Sequence, residues 1–393
     1  MLNGLFDLSV WQLVLATLLL THITIVSITV YLHRFSAHRA INLHPALQHF
    51  FRFWLWLTSA TSTKEWTSIH RKHHAKCETE EDPHSPVVLG INKVLWQGAE
   101  VYAEAAKRQD ILDQYGAGCP DDWIERHLYT PYKHTGILLM FLIDLLCFGV
   151  LGITVWAVQM IWQPFFAAGV INGLGHHLGY RNFETRDAAT NLVPWGILIG
   201  GEELHNNHHT YPNSAKLSVK PWEFDIGYAY IRLFSWLRLA SVNKLPPKPA
   251  FSPDKQTVDL DTLRALMTNR FQVMARYRKK VIVPVLQAER LRAEAAGHRL
   301  LDQARKLLHR DDRLMSDSTR ARLDKLLHSN QALDVIYQFR LRLQQIANRT
   351  SQGSQDTLEA LKQWVLEAEA SGIEALQEFA RQLQGYVPAR INR

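Results

Sequence analysis

The chain has 393 residues, with 44 Lys and Arg against 37 Asp and Glu, and a formal charge of +7 when histidine is neutral. Its three cysteines, Cys77, Cys119 and Cys147, form no CxxC pair, which argues against a disulfide framework and a thiolate metal site and points to a reducing compartment. No basic run is interleaved with aromatics in a nucleic-acid-binding pattern, so the excess charge suits an anionic membrane surface better than nucleic acid.

The 19 histidines are distributed unevenly: 16 fall in residues 1–245, together with the apolar runs. Residues 1–245 therefore read as a membrane domain and 246–393 as a charged, leucine-punctuated helical extension, joined through KLPPKPAFSP. Three segments approach the roughly 20 residues a spanning helix needs: 9–32, 136–156 and 157–175, the last two as a hairpin. The first has no cationic n-region and reads as an uncleaved anchor. Segments 45–60, with His49 and Arg52, and 225–242, with Arg232 and Arg238, read as interfacial helices. Beyond the linker, Leu260, Leu263, Met267, Phe271 and Met274 keep helical spacing, as do Leu358, Leu361 and Val365, then Leu376, Phe379 and Leu383; Pro284 and Ser351 mark expected breaks. The fold class is an all-α integral membrane protein, in which a few spanning helices carry a helical cap, with a soluble helical extension.

The chemistry lies in HRFSAH (His33, His38), HRKHH (His70, His73, His74) and HNNHH (His205, His208, His209). At about 100° per residue an HxxHH string sets three imidazoles on one helical face. His33 and His38 diverge by about 140° on an ideal helix and converge only if the helix ends or loosens there. A lone histidine is usually satisfied by ordinary hydrogen bonds, but repeated HxxHH spacing is not explained that way. Eight histidines exceed what one four-coordinate zinc uses, so they imply two metals or one metal with a large outer shell. If the clusters share a site, 45–60 does not cross the membrane and 136–175 crosses an even number of times. Arg34, Arg39, Arg52, Arg71, Lys72 and Lys76 then mark the shared side as cytoplasmic. Glu65, Glu78, Asp82, Glu202 and Glu203 are candidate partners for the imidazoles. Trp66 and Trp195 are candidate walls of a substrate tunnel, and Arg181, Arg186 and Lys216 candidate anion contacts.

These boxes, with Glu65 and Trp66 before the second, NGLGHHLGYR (Asn172 to Arg181) and GEELHNNHHTYPNSA (Gly201 to Ala215), resemble the membrane fatty-acyl desaturases of the acyl-CoA and acyl-lipid delta-9 type. The resemblance covers about 10–236; the extension has no counterpart in it. It implies a diiron centre on nine ligands, His33, His38, His70, His73, His74, His176, His205, His208 and His209, with Asn172 holding a metal-bound water. It further implies two ferrous ions, O2 as co-substrate, and a saturated chain on CoA or phospholipid given a cis double bond, expected at delta-9. With no haem, flavin or iron-sulfur motif in the chain, electrons are expected from a ferredoxin or rubredoxin with its reductase. The expected location is a bacterial inner membrane, with the site facing the cytoplasm. The rivals are a diiron hydroxylase or alkane oxygenase and, from another class, a metal transporter with histidines along its path.

Overall fold

The computed structural model describes residues 4–293, 301, 302, 304, 306–349 and 354–389; the break expected at Ser351 lies outside them. The chain divides into two compact units, Met1–Arg181 with Asp187–Pro246, and Asn182–Arg186 with Pro247–Arg393.

In the first unit α1 (Val10–Val26) starts at a capping box in which Ser9 and Gln12 satisfy each other's backbone N–H groups. Val10, Trp11, Leu15, Leu18 and Leu19 are exposed, as an apolar helix surrounded by lipid requires. Without a break it becomes a π-helix, Ser27–Ala37. Two stretches, Val10–Ala37 and Lys133–Leu174, are long and apolar enough to cross a membrane. The second folds back on itself: α5 (Lys133–Phe148) and α6 (Gly152–Gln163) flank Gly149, whose φ of +61° suits glycine. Gln159 donates to Asp144 at 2.8 Å and Trp156 to the Ile137 carbonyl at 3.2 Å, contacts that only a hairpin permits. The sequence reading put this turn between 156 and 157; it lies at Gly149–Leu151 because a glycine there interrupts an otherwise continuous apolar run. The second arm continues as a π-helix, Pro164–Leu174.

The cap is built from α2 (Pro45–Ser59), α3 (Thr63–Lys76), α4 (Ile91–Ala106), α7 (His205–Thr210) and α8 (Ile226–Trp236). Helix α8 is shorter than the expected 225–242: Arg238 is left-handed at φ +61°, and β2 (Ala240–Val242) pairs antiparallel with β1 (Ile41–Leu43). The mostly helical class stands, with three two-stranded ladders added among the described residues. Glycines let α4 meet the second π-helix backbone to backbone. A Cβ on Gly98 would come within 2.5 Å of the Ala168 carbonyl, and one on Gly169 within 2.5 Å of that of Leu95.

The second unit packs helices around Trp364, Tyr277, Phe379 and Leu343, all buried. Leu358, Leu361, Val365, Leu376, Phe379 and Leu383 face its core, as their spacing indicates. Pro284 does not end a helix: it sits in the first turn of Val283–Arg292, directly after the π turn Arg278–Ile282, which absorbs its missing N–H.

Candidate metal centre

The π-helix answers the problem set by His33 and His38. Its i→i+5 bond runs from the His38 N–H to the His33 carbonyl at 3.0 Å, and a repeat of five sets the two rings on one face, 4.7 Å apart. Helix α3 is fixed at its start by reciprocal bonds between Ser62 and Glu65, a device worth about 1 kcal/mol. Arg71, inside HRKHH but pointing away from the histidines, donates to the carbonyls of Ser36, Ala37, Tyr115 and Ala117 at 2.7 to 3.0 Å. That one side chain ties the second box to the end of the first. The short helix α7 is held by Asn207, whose amide donates to Glu223 at 2.9 Å and whose N–H donates to Asn191 at 3.1 Å.

All nine predicted histidines come together, in two adjoining groups. In the first, His33 Nε2 lies 3.0 Å from His208 Nε2, His208 Nε2 lies 2.8 Å from His74 Nε2, and His38 and His70 approach to 2.8 Å. The second contains His73, His176, His205 and His209, with His176 and His205 Nε2 atoms 3.0 Å apart. His74 and His209, with ring centres 4.5 Å apart, join the groups. His177, next to His176, is exposed and takes no part.

Carboxylates face the far nitrogens. His33 Nδ1 lies 2.8 Å from Glu202, His73 Nδ1 3.0 Å from Asp82, His176 Nδ1 3.1 Å from Glu78 and His209 Nδ1 3.2 Å from Asp187. Hydrogen-bonded this way, the rings of His73, His176 and His209 turn their Nε2 lone pairs inward, the arrangement metal-binding imidazoles use, while Glu202 lies beside His33 as a charge partner only. Of the five candidate acids three face the rings. Glu65 instead caps α3 and pairs with Lys133, and Glu203 accepts the N–H groups of Ile197, Ile199 and Gly201. Asp187 was missed because it lies 22 residues before its partner.

An apolar cavity of about 650 Å³ runs up to the histidines. Ile28, Trp66, Ile69, Ala99, Ala168 and Ile171 line it, with His33, His70, His205 and Asn172 at its wall. Trp66 stacks on His70 at 4.7 Å, whereas Trp195 is exposed and lines nothing here. His84 also lines the cavity and stacks on His73 at 4.3 Å; its lack of repeat spacing hid it.

Does this donor set fit metal? Two imidazoles at right angles on one ion, with bonds of about 2.1 Å, have nitrogens about 3 Å apart, close to the 2.8 to 3.0 Å found for four Nε2 pairs. His209 Nε2 is buried with no partner among the described residues. The residues fit.

The fatty acid desaturase family model matches residues 9–232, more than half of the chain. The chain belongs to the fatty acid desaturase family. This desaturase is 30% identical over 244 residues to the sn-1 stearoyl-lipid 9-desaturase of Anabaena variabilis, covering 61% of this chain and 86% of that one. It is 27% identical over 241 residues to Delta-9 acyl-lipid desaturase 1 of Arabidopsis thaliana (60% and 76%), and 30% over 223 residues to an acyl-CoA 5-desaturase of Anemone leveillei (54% and 66%). A transposase family model matches residues 264–392, a likeness confined to the extension. The desaturase therefore carries out oxygen-dependent fatty-acyl desaturation at its histidine-lined centre.

Burial first, and neighbouring imidazoles second, hold His38, His70, His74 and His205 well below the usual histidine value, so they stand neutral, the form that binds metal. Burial brings His209 down to about 4 despite Asp187. Between that value and 6.5 the unfolded chain binds more protons than the folded one, so stability rises with pH across this window. Thermal melts of metal-free protein should show the stability intact above pH 6.5 and falling as pH drops toward 4. A flat profile would contradict neutral, buried ligands.

Proposed function

We propose that this desaturase holds two ferrous ions on its nine histidines and inserts a cis delta-9 double bond into a saturated acyl chain carried by a phospholipid or CoA. The observation that supports it is the cavity: one apolar channel ends at both histidine groups, through His33 and His70 in the first and His205 in the second. His33, His38, His70, His74 and His208 would hold one ion, and His73, His176, His205 and His209 the other. Bound iron supplies the redox capacity to reduce O2 and remove two hydrogens from adjacent methylenes.

The protein's own contribution is positional. Trp66 and Ile69 fix the chain laterally, the apolar wall excludes water, and Asn172 offers a polar group beside the ring nitrogens. Asn172 is assigned to hold a water at the second ion. Two of the relatives above are named for position 9, which supports delta-9; the 5-desaturase shows that position varies among similar chains.

The site lies just past the ends of α1 and of the hairpin, so with one and two crossings both reach the same face. Basic residues on that face support a cytoplasmic site in a bacterial inner membrane. Electrons come from a separate protein. A recess of about 440 Å³ lined by Arg39, Arg71 and Lys244, with His38 at its wall and no carboxylate, suits an acidic carrier such as a ferredoxin.

Expression in a host lacking desaturase tests the reading through gas chromatography of its fatty esters. A new cis delta-9 monoene is expected. A hydroxy acid without a new double bond would overturn it in favour of a hydroxylase.

A further inference from the structure

Asn182–Arg186 folds with the second unit, where Glu184 accepts the Asp311 N–H at 3.3 Å. A recess of about 580 Å³ opens in that unit, lined by four arginines, Arg186, Arg313, Arg340 and Arg349, against two carboxylates, Asp311 and Asp312. Both carboxylates are engaged in the fold: Asp311 accepts the Arg313 N–H at 3.1 Å and Asp312 the Tyr337 hydroxyl at 3.2 Å. Arg340 is 3% exposed and donates to the carbonyls of Leu308 and Arg310, each at 3.0 Å, and to Gln344 at 3.4 Å; no carboxylate reaches it among the described residues. A guanidinium taken out of water without an anion beside it is costly. Arg186 and Arg313, both exposed, and the half-buried Arg349 add three charges whose side chains have no partner among the described residues. Of the three candidate anion contacts in the sequence, Arg186 alone lines this recess; Arg181 donates instead to the carbonyls of Asp187 and Ala189.

We propose that this recess binds the phosphoryl group of a phosphate monoester. Four positive charges against two negative leave an excess of two, which matches the charge of about −1.5 to −2 that such a group carries at pH 7. Guanidinium forks fit phosphate oxygens in pairs of hydrogen bonds, as ammonium groups do not. Arg186, Arg313 and Arg349 hold the phosphoryl oxygens, the amides of Gln345 and Asn348 at the same wall donate to them, and Arg340 supplies the buried charge behind. A free phosphate and the headgroup of a lipid such as phosphatidic acid present the same dianion. The site holds no metal and takes no part in the desaturation, so the inference stands independently of the two-ion reading.

Calorimetric titration of the full-length protein in an uncharged detergent tests this, with inorganic phosphate as one probe and phosphatidic acid, against phosphatidylcholine, as the other. Saturable binding is expected, weakened about tenfold or more by the triple variant Arg186→Gln, Arg313→Gln and Arg349→Gln. These side chains make no contact that the fold relies on among the described residues, so the variant should melt as the wild type does. Arg264→Gln, an exposed arginine outside the recess, should bind as the wild type does. Saturation by both probes supports a free phosphate ligand, and saturation by phosphatidic acid alone supports a headgroup. No saturation by either probe, or equal affinity in the triple variant, overturns the proposal. Retention of duplex DNA with neither probe bound also overturns it, in favour of nucleic acid.

Discussion

Replacing His208 by alanine should abolish desaturation and remove one metal ion. His208 Nε2 is within 3.0 Å of both His33 and His74, so it is the donor on which the first group converges. Losing a carboxylate behind a ligand costs 10- to 100-fold in metal affinity. Losing the ligand itself should exceed about 100-fold in affinity and in turnover. His177→Ala, beside a ligand but exposed, should leave both unchanged. Fatty-ester analysis and metal content of the two purified variants check this. Unsaturated product from His208→Ala at the wild-type rate would contradict the assignment.

Arg34→Met should be the most destabilising single change in the first unit. Arg34 and Asp225 side chains are each 1% exposed and meet at 2.9 Å, and Arg34 also donates to the Gly200 carbonyl at 3.3 Å. Asp225 in turn caps α8 through the Tyr228 N–H and accepts the Leu217 N–H. Its carboxylate thus joins the π-helix Ser27–Ala37, the loop after the third box and α8 at one buried point. A Cβ on Gly227 would fall 1.8 Å from an Arg34 nitrogen, which is why that helix turn is glycine. Methionine keeps much of the volume but leaves a buried carboxylate uncompensated, a loss of about 3–5 kcal/mol. Denaturant or thermal unfolding should show it. The double variant Arg34→Met with Asp225→Asn should recover part of the loss, because the orphaned charge is gone while an amide oxygen can still accept.

The sequence displayed the ligands because their spacing is short-range: HRKHH and HNNHH are periodic within one or two helical turns. It could not display how His33 and His38 converge, since a π-helix leaves no periodic mark in eleven residues. The carboxylates behind the rings were legible when they lay within a dozen residues of a box or directly before it, as Asp82 and Glu202 do. Asp187 was hidden by its distance along the chain, and Arg71 by its usual reading as a membrane-side charge. In the extension, Leu263 lies in the core and Met267 and Met274 pack against it half-buried, while Leu266, Val273 and Tyr277 are fully buried there and Leu260 is exposed. The helix stops at Asn269 and restarts at Arg270, so the apolar phase shifts, which a single continuous wheel cannot follow.

Elemental analysis of active, detergent-purified protein bears most directly on the nine-histidine, two-ion centre. The expected result is two ions per chain, iron in material that turns over, falling to one in His208→Ala. Full turnover with one ion or fewer per chain would contradict it.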